Sequence, residues 1–151
     1  MTAERAYGSD LSVLTGFAAH DAAEVDLRRR PVNRRTDAVG ESWDLGVVSG
    51  RDNLGQSLVL RLLTPRGTLA ALGHGAYGSR LHELIGREKT EALRNLCRAF
   101  VLEAVTQEPR VAAVSDFAFD PRQESASSFV FTIAVLGRDD TPVGLSLEVS
   151  L

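Results

Sequence analysis

The stretch EALRNLCRAFVLEAVTQEPRV, Glu91–Val111, decides the fold. Leu93, Leu96, Cys97, Phe100, Val101 and Ala104 recur at i, i+3, i+4, i+7, i+8 and i+11, the apolar face of a helix. Pro109 has no N–H with which to continue that helix and pushes Glu108 out of the α region, so the helix is predicted to end near Gln107. Cys97 lies on the apolar face and reads as a small core residue rather than a nucleophile. Beyond Pro109 the period changes to two. Val111–Phe119 reads as a first strand. In Phe129–Leu136, Phe129, Phe131, Ile133 and Val135 alternate with Val130, Thr132, Ala134 and Leu136; both sets are largely apolar, as in a central strand. RDDTP is a turn. Val143, Leu145, Leu147, Val149 and Leu151 then alternate with Ser146, Glu148 and Ser150, which predicts a strand with one buried face.

Working back towards the N-terminus, GRDNLGQSLVLRLLTPRG places Leu54, Leu58 and Leu62 on one helical face, with Val59 and Leu63 beside them. Asp52 is the expected N-cap, and Pro65 and Gly67 stop the helix, giving Asp52–Leu63. Ser79 could cap a short helix, Arg80–Ile85, ended by Gly86. Helices followed by three strands predict an α+β fold, with two to three helices packed on one face of a small antiparallel β-sheet. Residues 1–42 are polar and aperiodic and read as an extended N-terminal arm, with one short strand near Val25–Val32. Residues 43–151 form the single α+β domain. Five arginines lie between Arg28 and Arg35, flanked by Glu24, Asp26 and Asp37. They are either a solvated, charge-balanced segment or a docking arm that orders on an acidic partner.

The chain has 151 residues, 44% of them hydrophobic, enough for one domain with a real core. A net charge of −3 argues against a general nucleic-acid binder. No apolar run approaches the roughly 18 residues of a membrane span, and no signal peptide is expected. One cysteine makes no internal disulfide, consistent with assembly in the cytoplasm. GHGAYG, Gly73–Gly78, fits a dinucleotide fingerprint in letters, but it follows a helix and a connector where the fingerprint needs a strand. It reads as a turn that lets Tyr77 pack while the backbone reverses. The histidines are scattered, without metal-ligand spacing, and no nucleophile elbow is present, so neither metal nor cofactor is expected. A glycosidase would need two carboxylates about 5–9 Å apart; Glu83 and Glu88 are the nearest candidates. Glu108-Pro109-Arg110 sets a carboxylate and a guanidinium on either side of a rigid proline. It is either a helix stop with solvated charges or a contact site, and Glu108 and Arg110 could pair with each other.

Four motifs in order carry a resemblance: Asn53–Gln56 (N-L-x-Q), Leu62–Gly67 (L-L-T-P-x-G), Tyr77–Leu81 (Y-G-S-x-L) and Glu108–Val111 (E-P-R-V). Over about Trp43–Phe119 the chain resembles the sheath-initiator baseplate wedge proteins of contractile phage tails and contractile injection systems. The resemblance implies a structural protein without enzymatic chemistry, present in six copies per baseplate and starting polymerisation of the contractile sheath. Its implied partners are the sheath protein and the other wedge subunits, with inner tube or hub proteins as further neighbours; nucleic acid and direct membrane contact are not expected. It also implies that Glu108, Pro109 and Arg110 contact other wedge subunits. A small sheet with an exposed edge accepts strands from other chains. The expected platform for sheath strands is therefore Phe129, Phe131, Ile133 and Val135 with Val143, Leu145, Leu147 and Val149. Family members have also carried the label of tail lysozyme, which keeps a wall-degrading glycosidase as the alternative. A third reading is an adaptor docking through its Arg-rich arm.

Overall fold

The computed structural model of the chain describes residues 7–18, 25–32 and 42–151. In the numbering of the described elements, β5 (Val111–Phe119), β6 (Ser128–Gly137) and β7 (Pro142–Ser150) form one antiparallel sheet in the order β5-β6-β7. β6 is central, as its two apolar faces predict. The β6–β7 ladder is regular, pairing Phe131 with Leu147 and Ile133 with Leu145. The β5–β6 ladder carries register shifts between Val111 and Ala113 and between Val114 and Asp116, which bend that edge of the sheet.

Two α-helices cover the face bearing Phe129, Phe131, Ile133 and Val135. α1 (Gly50–Leu63) packs against β7, and α2 (Glu91–Thr106) packs against β5. α2 buries Leu93, Cys97, Phe100, Val101 and Ala104 with Val105, and ends with Gln107 as its C-cap, where Pro109 requires. Its N-cap is Thr90, whose hydroxyl accepts the Leu93 N–H at 3.1 Å. α1 buries Leu54, Leu58, Val59 and Leu62, but Leu63 points to solvent. It starts ahead of the expected Asp52: Ser49 stands at the N-cap position without a side-chain bond, and Gly50 turns the chain at φ 61°. Asp52 sits in the first turn, where its charge still meets the positive helix end. Between the helices, the segment expected as helix Arg80–Ile85 is a single 3-10 turn, Leu81–Leu84. GHGAYG is a turn. Gly78 adopts φ 105°, and a Cβ there would stand 2.4 Å from the Thr64 carbonyl.

The described part of residues 1–42 is extended and lies along the domain. β1 (Ser9–Leu11) pairs with β4 (Val47–Ser49), and β2 (Arg29–Val32) pairs with β3 (Ser42–Leu45). β2 falls within the expected Val25–Val32 strand. Gly46 joins the two ladders: its N–H donates to Arg28 and its carbonyl accepts from Ser12. Tyr7 and Leu14 are buried members of the core. Arg34, Arg35, Glu24 and Asp37, part of the Arg-rich cluster and its acidic flanks, lie outside the described residues.

Candidate functional site

The turn from α2 into β5 sets the geometry of Glu108-Pro109-Arg110. Once the helix stops, Glu108 turns inward and is 5% exposed. One carboxylate oxygen accepts from Arg110 Nε at 2.6 Å; the other accepts from Arg61 Nη2 of α1 at 3.2 Å. Burial pushes this carboxyl up, but the Arg110 and Arg61 guanidiniums outweigh it and hold the group below the usual carboxylate range. Arg61 also lies over the Tyr77 ring, 4.5 Å from its centroid, on the wall of a cleft of about 420 Å³ reached by His74 and Gln107.

Arg110 reaches further. Its Nη1 donates to the Tyr7 carbonyl at 3.2 Å, which also accepts from Asn53 Nδ2 at 2.8 Å. The Tyr7 hydroxyl bonds the Asp139 carboxylate in the β6–β7 turn. Glu108 and Arg110 therefore pair with each other, one of the options their spacing allows. Both oxygens of Glu108 are committed inside the chain. Pro109 is exposed and Arg110 half-buried, so these two supply the outward surface of the motif.

The eight platform residues divide differently from their expected role. Phe129, Phe131, Ile133, Val135, Val143, Leu145, Leu147 and Val149 are all buried in the chain's own core. β6 is paired on both sides and offers no edge. The sheet's edges are β5, bent by its register shifts, and β7, whose ladder is regular. The odd-numbered residues of β7 bond β6, so the N–H and C=O groups of Gly144, Ser146, Glu148 and Ser150 face outward. Among the described residues, the stretch from Glu148 to Ser150 has no backbone partner on that side. It borders a groove of about 260 Å³ that includes Leu63, Pro65, Leu81 and Ile85. Leu63 and Ile85 are 42% and 66% exposed, large apolar side chains beside an open strand edge.

The two carboxylates proposed for hydrolysis sit in different surroundings. Glu83 is engaged by Arg80 through two bonds of 2.7 and 2.9 Å, which lower its pKa, while Glu88 is exposed. A third acidic centre, Glu124, is buried between Arg94, at 2.7 and 2.8 Å, and Lys89, at 2.9 Å. The Arg94 hydrogen bonds and charge, reinforced by Lys89, hold its pKa at about 2. Arg94 lies 4.8 Å from the centroids of both Phe119 and Phe129, closing the aromatic end of the sheet. Cys97 is buried and its thiol is pushed up to about 12 by desolvation, the condition of an unreactive core cysteine.

No protein-family model matches the sequence, and no curated protein matches it. The fold does match a solved structure. This is the 1.44 Å crystal structure of a protein from Geobacter sulfurreducens titled a "putative tail lysozyme". The two share 20% identity and superpose with a TM-score of 0.56 over 66% of this chain and 89% of that one. The likeness shows a common fold.

Two residues of the N-L-x-Q motif have a role that spacing did not reveal. Asn53 holds Tyr7, and Gln56 reads the extended segment at two points: Oε1 accepts from Val13 N–H at 2.9 Å and Nε2 donates to the Leu11 carbonyl at 2.8 Å. The available signal was chemical: two amides one helical turn apart, within a run of buried leucines, need buried partners.

Proposed function

We propose that this chain is a structural component of a contractile phage tail or injection particle, joining the baseplate wedge to the sheath and starting sheath growth by strand pairing. The observation that carries the reading is the outer edge of β7 beside its apolar groove. Backbone groups at Glu148 and Ser150 can bond an added strand, and the groove can take that strand's apolar side chains. The motif resemblance and the fold shared with the Geobacter protein support the placement in a tail. Pro109 and Arg110 are the proposed contact with neighbouring wedge subunits, held in place by Glu108.

Glu148→Pro tests the edge. Its N–H faces away from β6, so proline there spares the internal ladder. The variant is expected to melt within about 4 °C of wild type, as for a change of ~1 kcal/mol in a domain of this size. Electron microscopy of lysates from producing cells should show no assembled sheaths. Normal sheaths from a folded variant would contradict the proposal.

The name of the Geobacter protein raises a second reading, wall hydrolysis. That chemistry needs one carboxyl that keeps its proton near neutral pH. Glu83, Glu108 and Glu124, each paired with arginine, are all shifted the other way. These three carboxylates therefore lend no support to hydrolysis. We expect no clearing of cell-wall substrate by wild type, and clearing that Glu83→Gln or Glu88→Gln abolishes would instead support hydrolysis.

A further inference from the structure

The β7 edge has one described intramolecular partner, and it comes from the N-terminal segment. The segment is anchored at its base. Asp26 N–H donates to Val13 O at 3.1 Å, Arg28 N–H donates to Ser12 O at 2.9 Å, and Gln56 takes the Val13 N–H. From there the chain reaches β7, where the Phe17 carbonyl accepts the Ser146 N–H at 2.7 Å. The Phe17 ring sits over Gly55 in the middle of α1, and a Cβ at residue 55 would stand 2.8 Å from that ring. Alanine is the better helix former at an interior helical position. Glycine there keeps the seat for Phe17 open. Phe17 and Ala18 also border a shallow hollow on the sheet with Asp116, Thr132 and Ser146.

We infer that Phe17 and its flanking residues are a built-in cover for the β7 edge, which restrains pairing in the free subunit and is displaced when a partner strand adds. The inference rests on the edge-pairing reading above. Phe17 supplies one of the bonds that an added strand would make, at Ser146. Among the described residues, the neighbouring stretch from Glu148 to Ser150 has no backbone partner on its outer side and serves as the starting point. A strand that pairs there and extends towards Ser146 must replace the Phe17 carbonyl. An exposed edge of complementary alternation is an aggregation hazard, and a short intramolecular cover reduces it.

Two variants release the cover by different routes. Phe17→Ala removes the ring, and Gly55→Ala fills its seat while improving helix propensity. Residue-resolved hydrogen exchange on the full chain reads the Ser146 amide. Binding of a synthetic peptide with the sequence of β7, Pro142–Ser150, reads the edge. Both variants are expected to raise Ser146 exchange at least about tenfold, with little change at Leu147, and to bind the peptide about tenfold more tightly than wild type. Unchanged Ser146 exchange in both variants would overturn the cover. Raised exchange with equal peptide affinity would also overturn it, because the segment would then not compete for the edge. Raised exchange with no peptide binding to any of the three proteins would support the cover and count against edge pairing itself.

Discussion

The C-terminal sheet and the N-terminal segment are held by different physics. The sheet is closed by side-chain packing: Phe117 stacks on Phe131, Phe119 meets Phe117 edge-on and Phe129 at a tilt, and α1 and α2 complete the core. The N-terminal segment buries Tyr7 and Leu14 and rests Val13 and Phe17 against the core, but much of its hold comes from backbone bonds and the amides of Asn53 and Gln56. Area-driven packing resists local opening, whereas a few hydrogen bonds, each contributing about 1 kcal/mol net, can be exchanged for others. The rigid half therefore suits a scaffold, and the polar-held half suits a part that yields to a partner.

The largest effect is expected where packing is densest. Phe131→Ala should cost about 3–5 kcal/mol and lower the melting temperature of the whole domain in one transition. A loss below about 1 kcal/mol would mean that the aromatic stack does not hold the sheet. Glu124→Gln should cost about 2 kcal/mol at neutral pH, since it leaves Arg94 and Lys89 without their buried counter-charge. Folding depresses this pKa, so the carboxylate's contribution is complete above its ordinary value of 4.5 and fades as pH falls towards about 2. Thermal melts between those limits should bring variant and wild type together; a constant gap would contradict the assignment.

In the other half, Gln56→Ala should cost about 1–2 kcal/mol and act locally. Exchange of the Val13 amide should rise while β6 amides stay protected, and a uniform rise would erase the contrast between the regions. Arg110→Ala should be milder still, under about 1 kcal/mol, because Asn53 continues to hold the Tyr7 carbonyl and Arg61 continues to pair Glu108. Its expected effect is on assembly: folded protein without sheaths in lysates. Normal particles would reduce Arg110 to a structural partner of Glu108.

The sequence made α2 and β5–β7 legible because their order is periodic: one face of each packs against the next, and the period records it. The short strands β1, β3 and β4 escaped because three or four residues carry no period, and their partners are backbone groups far away in sequence. Glu108 shows the same limit. Its pairing with Arg110 was open to reading from two-residue spacing, but Arg61 comes from another helix, and only the packing of α1 against α2 brings it there. Burial of the eight platform residues was legible as alternation. What alternation does not tell is which strands lie at the sheet's edges, and that depends on sheet order.

The most direct test of strand pairing compares hydrogen exchange in the free subunit and in particles isolated from producing cells. The account predicts that the amides of Glu148 and Ser150 gain at least about tenfold protection on assembly, while outward-facing amides along β5 do not. Equal exchange at Glu148 and Ser150 in the free and assembled protein would contradict it.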